Sequence, residues 1–146
     1  MSGLAPQLVP PPVKPHASVV RLPGYWYIAC ASSELGAKPL LRTILGIPLA
    51  VFRGRSGAVG ALLDRCPHRN VPLTLGKVVG EHLQCGYHGW EFDTAGACQA
   101  VPGLIGDPRG KARCAPSFAA REQDGYVWVY MIPDVEPDRE PFPVGA

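Results

Sequence analysis

Cys66, His68, Cys85 and His88 stand in the stretch CPHRNVPLTLGKVVGEHLQCGYHGW as two short pairs, CxH and CxxH, with sixteen residues between them. The chain has only five cysteines and four histidines in 146 residues, so this concentration calls for a chemical reason. Each pair can act as one half of a metal clamp. Pro67 stiffens the first loop, and Gly86 and Gly89 flank the second, where backbone N–H groups can come close to whatever is bound. Four N/S ligands could hold one tetrahedral zinc. Zinc sites of this composition usually pair Cys with Cys and His with His, whereas here each loop carries one of each. That mixed order fits better a cluster of two irons and two sulfides, in which two cysteines bind one iron and two histidines the other.

The elements that position these loops read as β-strands. Runs rich in β-branched and aromatic residues cover Tyr25 to Ala29, Leu41 to Leu45, Leu49 to Arg53, Val59 to Asp64, His82 to Cys85 and Tyr126 to Met131, broken by Gly, Pro and Asp. YVWVYM alternates two faces, and RGRSGAVG supplies a glycine-rich hairpin turn. An all-β antiparallel barrel or sandwich with two cluster-binding loops follows. Helix is limited to one turn at Ser32 to Leu35, capped by Ser33, and another near Leu73 to Val78. Proline clusters before residue 16 and after residue 132 predict extended ends. The chain divides into a proline-rich extension over 1–20, a domain over 21–134, and a tail or linker over 135–146.

Composition excludes some partners. With 47% hydrophobic and 18% charged residues, the middle of the chain has the balance of a folded domain. A formal charge of +2, evenly spread, gives no nucleic-acid or membrane surface. The N-terminus lacks the basic start and apolar run of a secretory signal, and no stretch approaches a membrane span, so a cytoplasmic chain with free or metal-bound thiols is expected.

CPHR followed by CGYHGWEFD resembles the Rieske [2Fe-2S] signature, and the likeness extends from about Gly24 to Pro133 through GYWYIACASSELGAKPLLRTILGIPLAVFR, LLDRCPHRNVPLTLGKV and FDTAGACQAVPG. It is strongest to the N-terminal domain of aromatic-ring-hydroxylating and vanillate O-demethylase-type oxygenases. The resemblance implies that Cys66 and Cys85 are thiolate ligands to an inner iron and His68 and His88 imidazole ligands to an outer, more exposed one. Pro102 resembles the proline of the loop that covers the cluster. Replacing two thiolates with neutral imidazoles removes negative charge and raises the potential above that of an all-cysteine cluster, and the imidazoles let electron transfer couple to pH. Respiratory Rieske proteins carry a disulfide and a serine where this chain has Val71, Tyr87 and Trp90, so the potential is expected near the low end, on the order of −150 mV.

Oxygenases of this kind also bind a mononuclear iron through two histidines and a carboxylate. Beyond the four candidate ligands the chain has only His16 and His82, which read as solvated surface residues, so no such site is expected in these residues. The resemblance therefore implies an electron-transfer domain that takes electrons from a reductase or ferredoxin and passes them to a mononuclear non-haem iron site on an oxygenase catalytic domain absent from these residues, to which 135–146 would lead. The resembling oxygenases make that handover to a neighbouring subunit. The alternative is a stand-alone Rieske ferredoxin. Among the remaining residues, Cys30 and Cys98 read as small buried hydrophobes, while Cys114 has no partner at ligand spacing. Trp90 and Phe92 shield the cluster or pack the core. Tyr87 either donates to a cysteine sulfur or packs, and Arg69 is a docking point for an acidic partner or an ordinary solvated arginine. An apolar rim including Pro72 and Pro102 is expected around His68 and His88.

Overall fold

The computed structural model describes residues 24–143, except Arg69 and Phe142; the 1–20 extension, His16 and Arg69 therefore lie outside the described residues. Eleven strands are formed among them: β1 Trp26–Ala31, β2 Leu40–Ile44, β3 Ile47–Arg53, β4 Val59–Leu63, β5 Lys77–Val79, β6 His82–Gln84, β7 Glu91–Phe92, β8 Cys98–Ala100, β9 Ser117–Phe118, β10 Ala120–Gln123 and β11 Tyr126–Tyr130. They make three antiparallel sheets, ordered β9-β4-β3-β2, β10-β11-β1 and β5-β6-β7-β8. Three single 3-10 turns complete the described structure, at Ser32–Glu34, Leu73–Leu75 and Lys111–Arg113.

β3 explains how one chain makes two cores. Its sequence IPLAVFR is apolar on both faces, and Leu49, Ala50, Val51 and Phe52 are all fully buried. Because side chains alternate across a strand, Leu49 and Val51 enter one core with Val127, Val129 and Met131, whereas Ala50 and Phe52 enter a second with Leu62, Leu73, Leu83 and Phe92. That second core contains Cys66, Cys85 and Cys98. Gly60 makes room for it, since a Cβ there would lie 2.9 Å from the Phe52 ring.

The hairpin turn expected at RGRSGAVG joins β3 to β4, with Gly57 in the left-handed region at φ +99° and the Gly54 N–H donating to the Ala58 carbonyl. Two local expectations change. The Ser32–Glu34 turn starts from Ala31, whose N–H donates to the Glu34 carboxylate at 2.7 Å, so Ser33 sits inside the turn instead of capping it. Leu73 to Val78 is a single 3-10 turn that passes directly into β5, because Gly76 adopts an extended conformation after Leu75.

The segment after β11 is not a free tail. Trp128 and Tyr130, on the face of β11 away from the first core, are also buried. Residues 134–141 lie against this sheet: the Trp26 indole N–H donates to the Arg139 carbonyl at 2.9 Å, Gln123 donates to the Pro141 carbonyl, and Arg121 pairs with Glu136 and Glu140.

Arg53, at the end of β3, ties its four-stranded sheet to the three-stranded β10-β11-β1 sheet. It donates to the carbonyls of Leu35, Gly57 and Ser32 and, through two bonds of 2.8 Å each, to the Glu122 carboxylate on β10. The Arg53 guanidinium lowers the Glu122 carboxyl from its ordinary 4.5 to about 2. A depressed carboxyl stabilises the fold fully above its unfolded value and loses that contribution as pH falls through the folded one. Urea midpoints of the wild type are thus expected to drop between about pH 4.5 and 2, and those of Glu122→Gln to fall less over this window. Parallel curves would mean that the pair contributes nothing to acid stability.

Candidate metal centre

The two Cys/His loops close in the same way despite their different spacing. In the first, between β4 and β5, the Cys66 N–H donates to the Val71 carbonyl at 2.8 Å and the Asn70 N–H to the Cys66 carbonyl at 2.7 Å. In the second, between β6 and β7, the Cys85 N–H donates to the Trp90 carbonyl at 2.7 Å and the Gly89 N–H to the Cys85 carbonyl at 3.1 Å. The residue four after each cysteine is left-handed, Asn70 at φ +58° and Gly89 at +78°. Asn and Gly tolerate that conformation best. Each cysteine N–H is thereby turned into its loop, and the chain reverses so that the histidine stands at the tip.

Burial separates the four side chains into two pairs. Cys66 is 1% exposed and Cys85 2%, within the second core, while His68 and His88 are exposed. The two Nδ1 atoms face each other at 3.2 Å. Two nitrogens, each about 2.0–2.1 Å from one metal at a near-tetrahedral angle, lie roughly 3.4 Å apart, so the observed gap suits a shared metal. The donor set therefore fits a group that needs two sulfurs inside and two imidazoles outside. Among the described residues no three His, Cys, Asp or Glu side chains gather as ligands of a single ion.

Aromatic rings fix the imidazoles. Trp90 stacks on His68 with centroids 4.5 Å apart and planes within 2°, and Tyr87 stacks on His88 at 4.1 Å and 28°. Trp90 thus shields the histidine side, while Phe92, fully buried, belongs to the core. Tyr87 turns outward. The Arg113 guanidinium lies 6.0 Å from the Trp90 ring centroid, a contact that nothing in the sequence spacing announces. Backbone packing locks the loops to each other: a Cβ on Gly76 would fall 1.8 Å from the Gln84 carbonyl oxygen, and one on Gly86 would fall 3.0 Å from that of Leu75.

Pro72 and Pro102 are exposed, and Pro102 packs over the second loop, 3.2 Å from where a Gly89 Cβ would stand. Leu75, Tyr87 and Ile105 are 73%, 57% and 97% exposed. His82 corrects the sequence reading of a solvated surface residue: its Nδ1 lies 3.1 Å from Glu91 Oε1 across the β6–β7 pair, and Gln84 donates to the other oxygen of the same carboxylate. Period-two alternation places His82 and Gln84 on one face, but only strand pairing brings Glu91 opposite. Cys30 and Cys98 are buried as expected, and burial raises both thiols above their ordinary 9.0, which keeps them neutral. Cys114 is half-buried and donates to the Gly110 carbonyl.

Comparison with known proteins shows the family. The family model for the Rieske [2Fe-2S] domain matches residues 25–116. The chain is 48% identical over 105 residues to the oxygenase component of dicamba O-demethylase from Stenotrophomonas maltophilia, covering 72% of this chain and 31% of that protein. It is 42% identical over 107 residues to the vanillate O-demethylase oxygenase subunit of a Pseudomonas species, covering 72% and 29%. A crystal structure of dicamba monooxygenase with non-heme iron and dicamba superposes with a TM-score of 0.72 at 42% identity, covering 83% of this chain and 38% of that one. The chain spans about a third of the length of these relatives.

Proposed function

The chain belongs to the Rieske [2Fe-2S] domain family, whose cofactor is a Rieske-type [2Fe-2S] cluster, and from that premise we propose that it is the electron-transfer part of an oxygenase. In this reading Cys66, His68, Cys85 and His88 hold the cluster, within a domain spanning residues 21–134. Electrons enter from a reductase or ferredoxin and leave for a mononuclear non-haem iron site on a catalytic domain beyond these residues, in a neighbouring subunit. The observation that carries the reading is the division of the four side chains, two thiols sealed in the core and two imidazoles exposed and facing each other at 3.2 Å.

When bound, the cluster supplies a one-electron store whose outer half carries imidazoles in place of thiolates. The chain's own residues do the rest. Leu73, Leu83 and Phe92 pack around Cys66 and Cys85 and exclude water from the sulfurs. Trp90 and Tyr87 hold the planes of His68 and His88, leaving the outer edges of both rings toward solvent. Those edges are the handover point, and the apolar side chains of Leu75, Tyr87 and Ile105 give a partner a surface to dry. Similarity to the oxygenase components of dicamba and vanillate O-demethylases supports an oxygenase assignment over a stand-alone ferredoxin. No helix among the described residues is long and apolar enough to cross a membrane.

Anaerobically purified protein is expected to contain about two irons and two acid-labile sulfides per chain and to bleach on one-electron reduction. Stoichiometric zinc after reconstitution with iron and sulfide would overturn the reading. Replacing Ile105 with Asp is expected to leave cluster content unchanged and to slow electron delivery to a separately supplied catalytic domain by about tenfold. Unchanged delivery would place the handover surface elsewhere.

A further inference from the structure

Asp64 immediately follows β4 and precedes the first loop. Its N–H donates to the Pro48 carbonyl at 2.9 Å, which anchors it to β3. Its carboxylate reaches across the loop: Oδ1 accepts the Thr74 N–H at 2.8 Å and Oδ2 accepts the Thr74 hydroxyl at 3.0 Å, both partly buried. The Leu73–Leu75 turn begins at Pro72, which offers no side-chain cap. The first N–H groups of such a turn have no partner within it, so Asp64 caps the turn from the opposite side of the loop.

We infer that Asp64 and Thr74 are positioning residues for His68, a clamp that sets the gap between the two imidazoles; this rests on the ligand reading proposed above. The clamp closes residues 65–73 between two fixed points, the Asp64 anchor on β3 and the fully buried Leu73. The turn it caps leads within two residues to Gly76, whose backbone runs so close to the second loop that an added Cβ would fall 1.8 Å from the Gln84 carbonyl oxygen and 3.0 Å from the Gly86 nitrogen. One connected path therefore runs from the rigid sheet through Asp64, Thr74 and Gly76 to the loop that carries His88. Without the clamp, the first loop loses its side-chain tie to the residue anchored on β3, and with it one reference that holds the stack of His68 on Trp90 to the sheet.

Four variants separate positioning from charge and from stability. Asp64→Asn can still accept the Thr74 N–H and can donate its amide to the Thr74 hydroxyl, and Thr74→Ser keeps both bonds. Asp64→Ala removes both, and Thr74→Val removes the hydroxyl bond alone. Each is purified with its cluster, and the rate at which a ferrous chelator strips the iron is measured beside the electron paramagnetic resonance spectrum of the reduced protein. Stripping is expected to speed up on the order of tenfold in Asp64→Ala, with shifted g-values, and less in Thr74→Val. Asp64→Asn and Thr74→Ser are expected to match the wild type. Glu122→Gln, which touches neither loop, controls for stability: it should lower the urea midpoint at neutral pH, where the Arg53–Glu122 pair contributes fully, and leave the spectrum unchanged. Wild-type stripping and g-values in Asp64→Ala, or an Asp64→Asn protein as perturbed as Asp64→Ala, would overturn the clamp. A wild-type protein that holds no iron and sulfide would sink the ligand reading instead. The clamp is then judged in the metal-free protein by the nuclear Overhauser contact between the His68 and Trp90 rings, which Asp64→Ala must weaken if the inference holds.

Discussion

Cys85→Ser protein is expected to emerge from purification with essentially no iron or labile sulfide and without visible absorption, while Cys98→Ser keeps both. The two cysteines make a sharp pair because both are buried in the same core, at 2% and 0% exposure. They differ in what surrounds them. Cys85 opens a loop that turns its own N–H inward and carries His88 three residues later. Cys98 lies in a strand, donates to the Ala100 carbonyl, and has its thiol raised by burial. A serine hydroxyl does not ionise near neutral pH and is a poor ligand for iron, so replacing a ligand should exceed the roughly 10–100-fold loss typical of outer-shell changes. At Cys98 the hydroxyl can still donate to Ala100, and the cost should stay near that of one altered buried contact, about 1–2 kcal/mol. Iron by mass spectrometry and sulfide by colorimetry decide the matter. Equal cluster content in the two variants would remove Cys85 from the ligand set.

Gly76→Ala is expected to lower the thermal midpoint by roughly 10 °C and to deplete the cluster as well. The new methyl would stand 1.8 Å from the Gln84 carbonyl oxygen and 3.0 Å from the Gly86 nitrogen. Both obstacles are backbone, at the entrance of the second ligand loop, so no side chain can swing aside. Either loop must move. Overpacking of this kind costs about 3 kcal/mol, and here the displacement falls between the two cysteines' loops. Gly36→Ala is the control, because a Cβ at Gly36 meets nothing within 4 Å and no left-handed φ is required there. Its midpoint should be unchanged or slightly raised. If the two variants melt together, the close approach of the loops is not a constraint on the fold.

Much of the centre was legible in the chain before folding is considered. Residue type and short-range spacing carry ligand chemistry, so CxH and CxxH with mixed order single out Cys66, His68, Cys85 and His88 as candidate ligands, and the same stretch carries the family resemblance. Period-two alternation and glycine-rich turns similarly gave the all-β class, because strand faces and left-handed turns are local properties. Cys30 and Cys98 could be read as small buried hydrophobes because neither has a partner at ligand spacing, and both are buried.

Tertiary structure decided what depends on partners distant in sequence. His82 reads as solvated in isolation, yet pairing of β6 with β7 puts Glu91 beside it. The segment after β11 forms no helix over residues 131–141 and turns at Pro133 and Asp134, and Trp26, Arg121 and Gln123 hold it against a sheet face that alternation alone assigns to solvent. Trp90 carries no label for stacking on His68, because that contact needs both loops in register at once. The sequence by itself thus determined which groups could do the chemistry and where six of the strands lie, whereas β5, β7, β8, β9 and β10 form where no apolar run marks them. The fold decided their burial, the 3.2 Å between imidazoles, and the clamp across the first loop, since each arises from packing between segments whose separation along the chain says nothing of their distance in space.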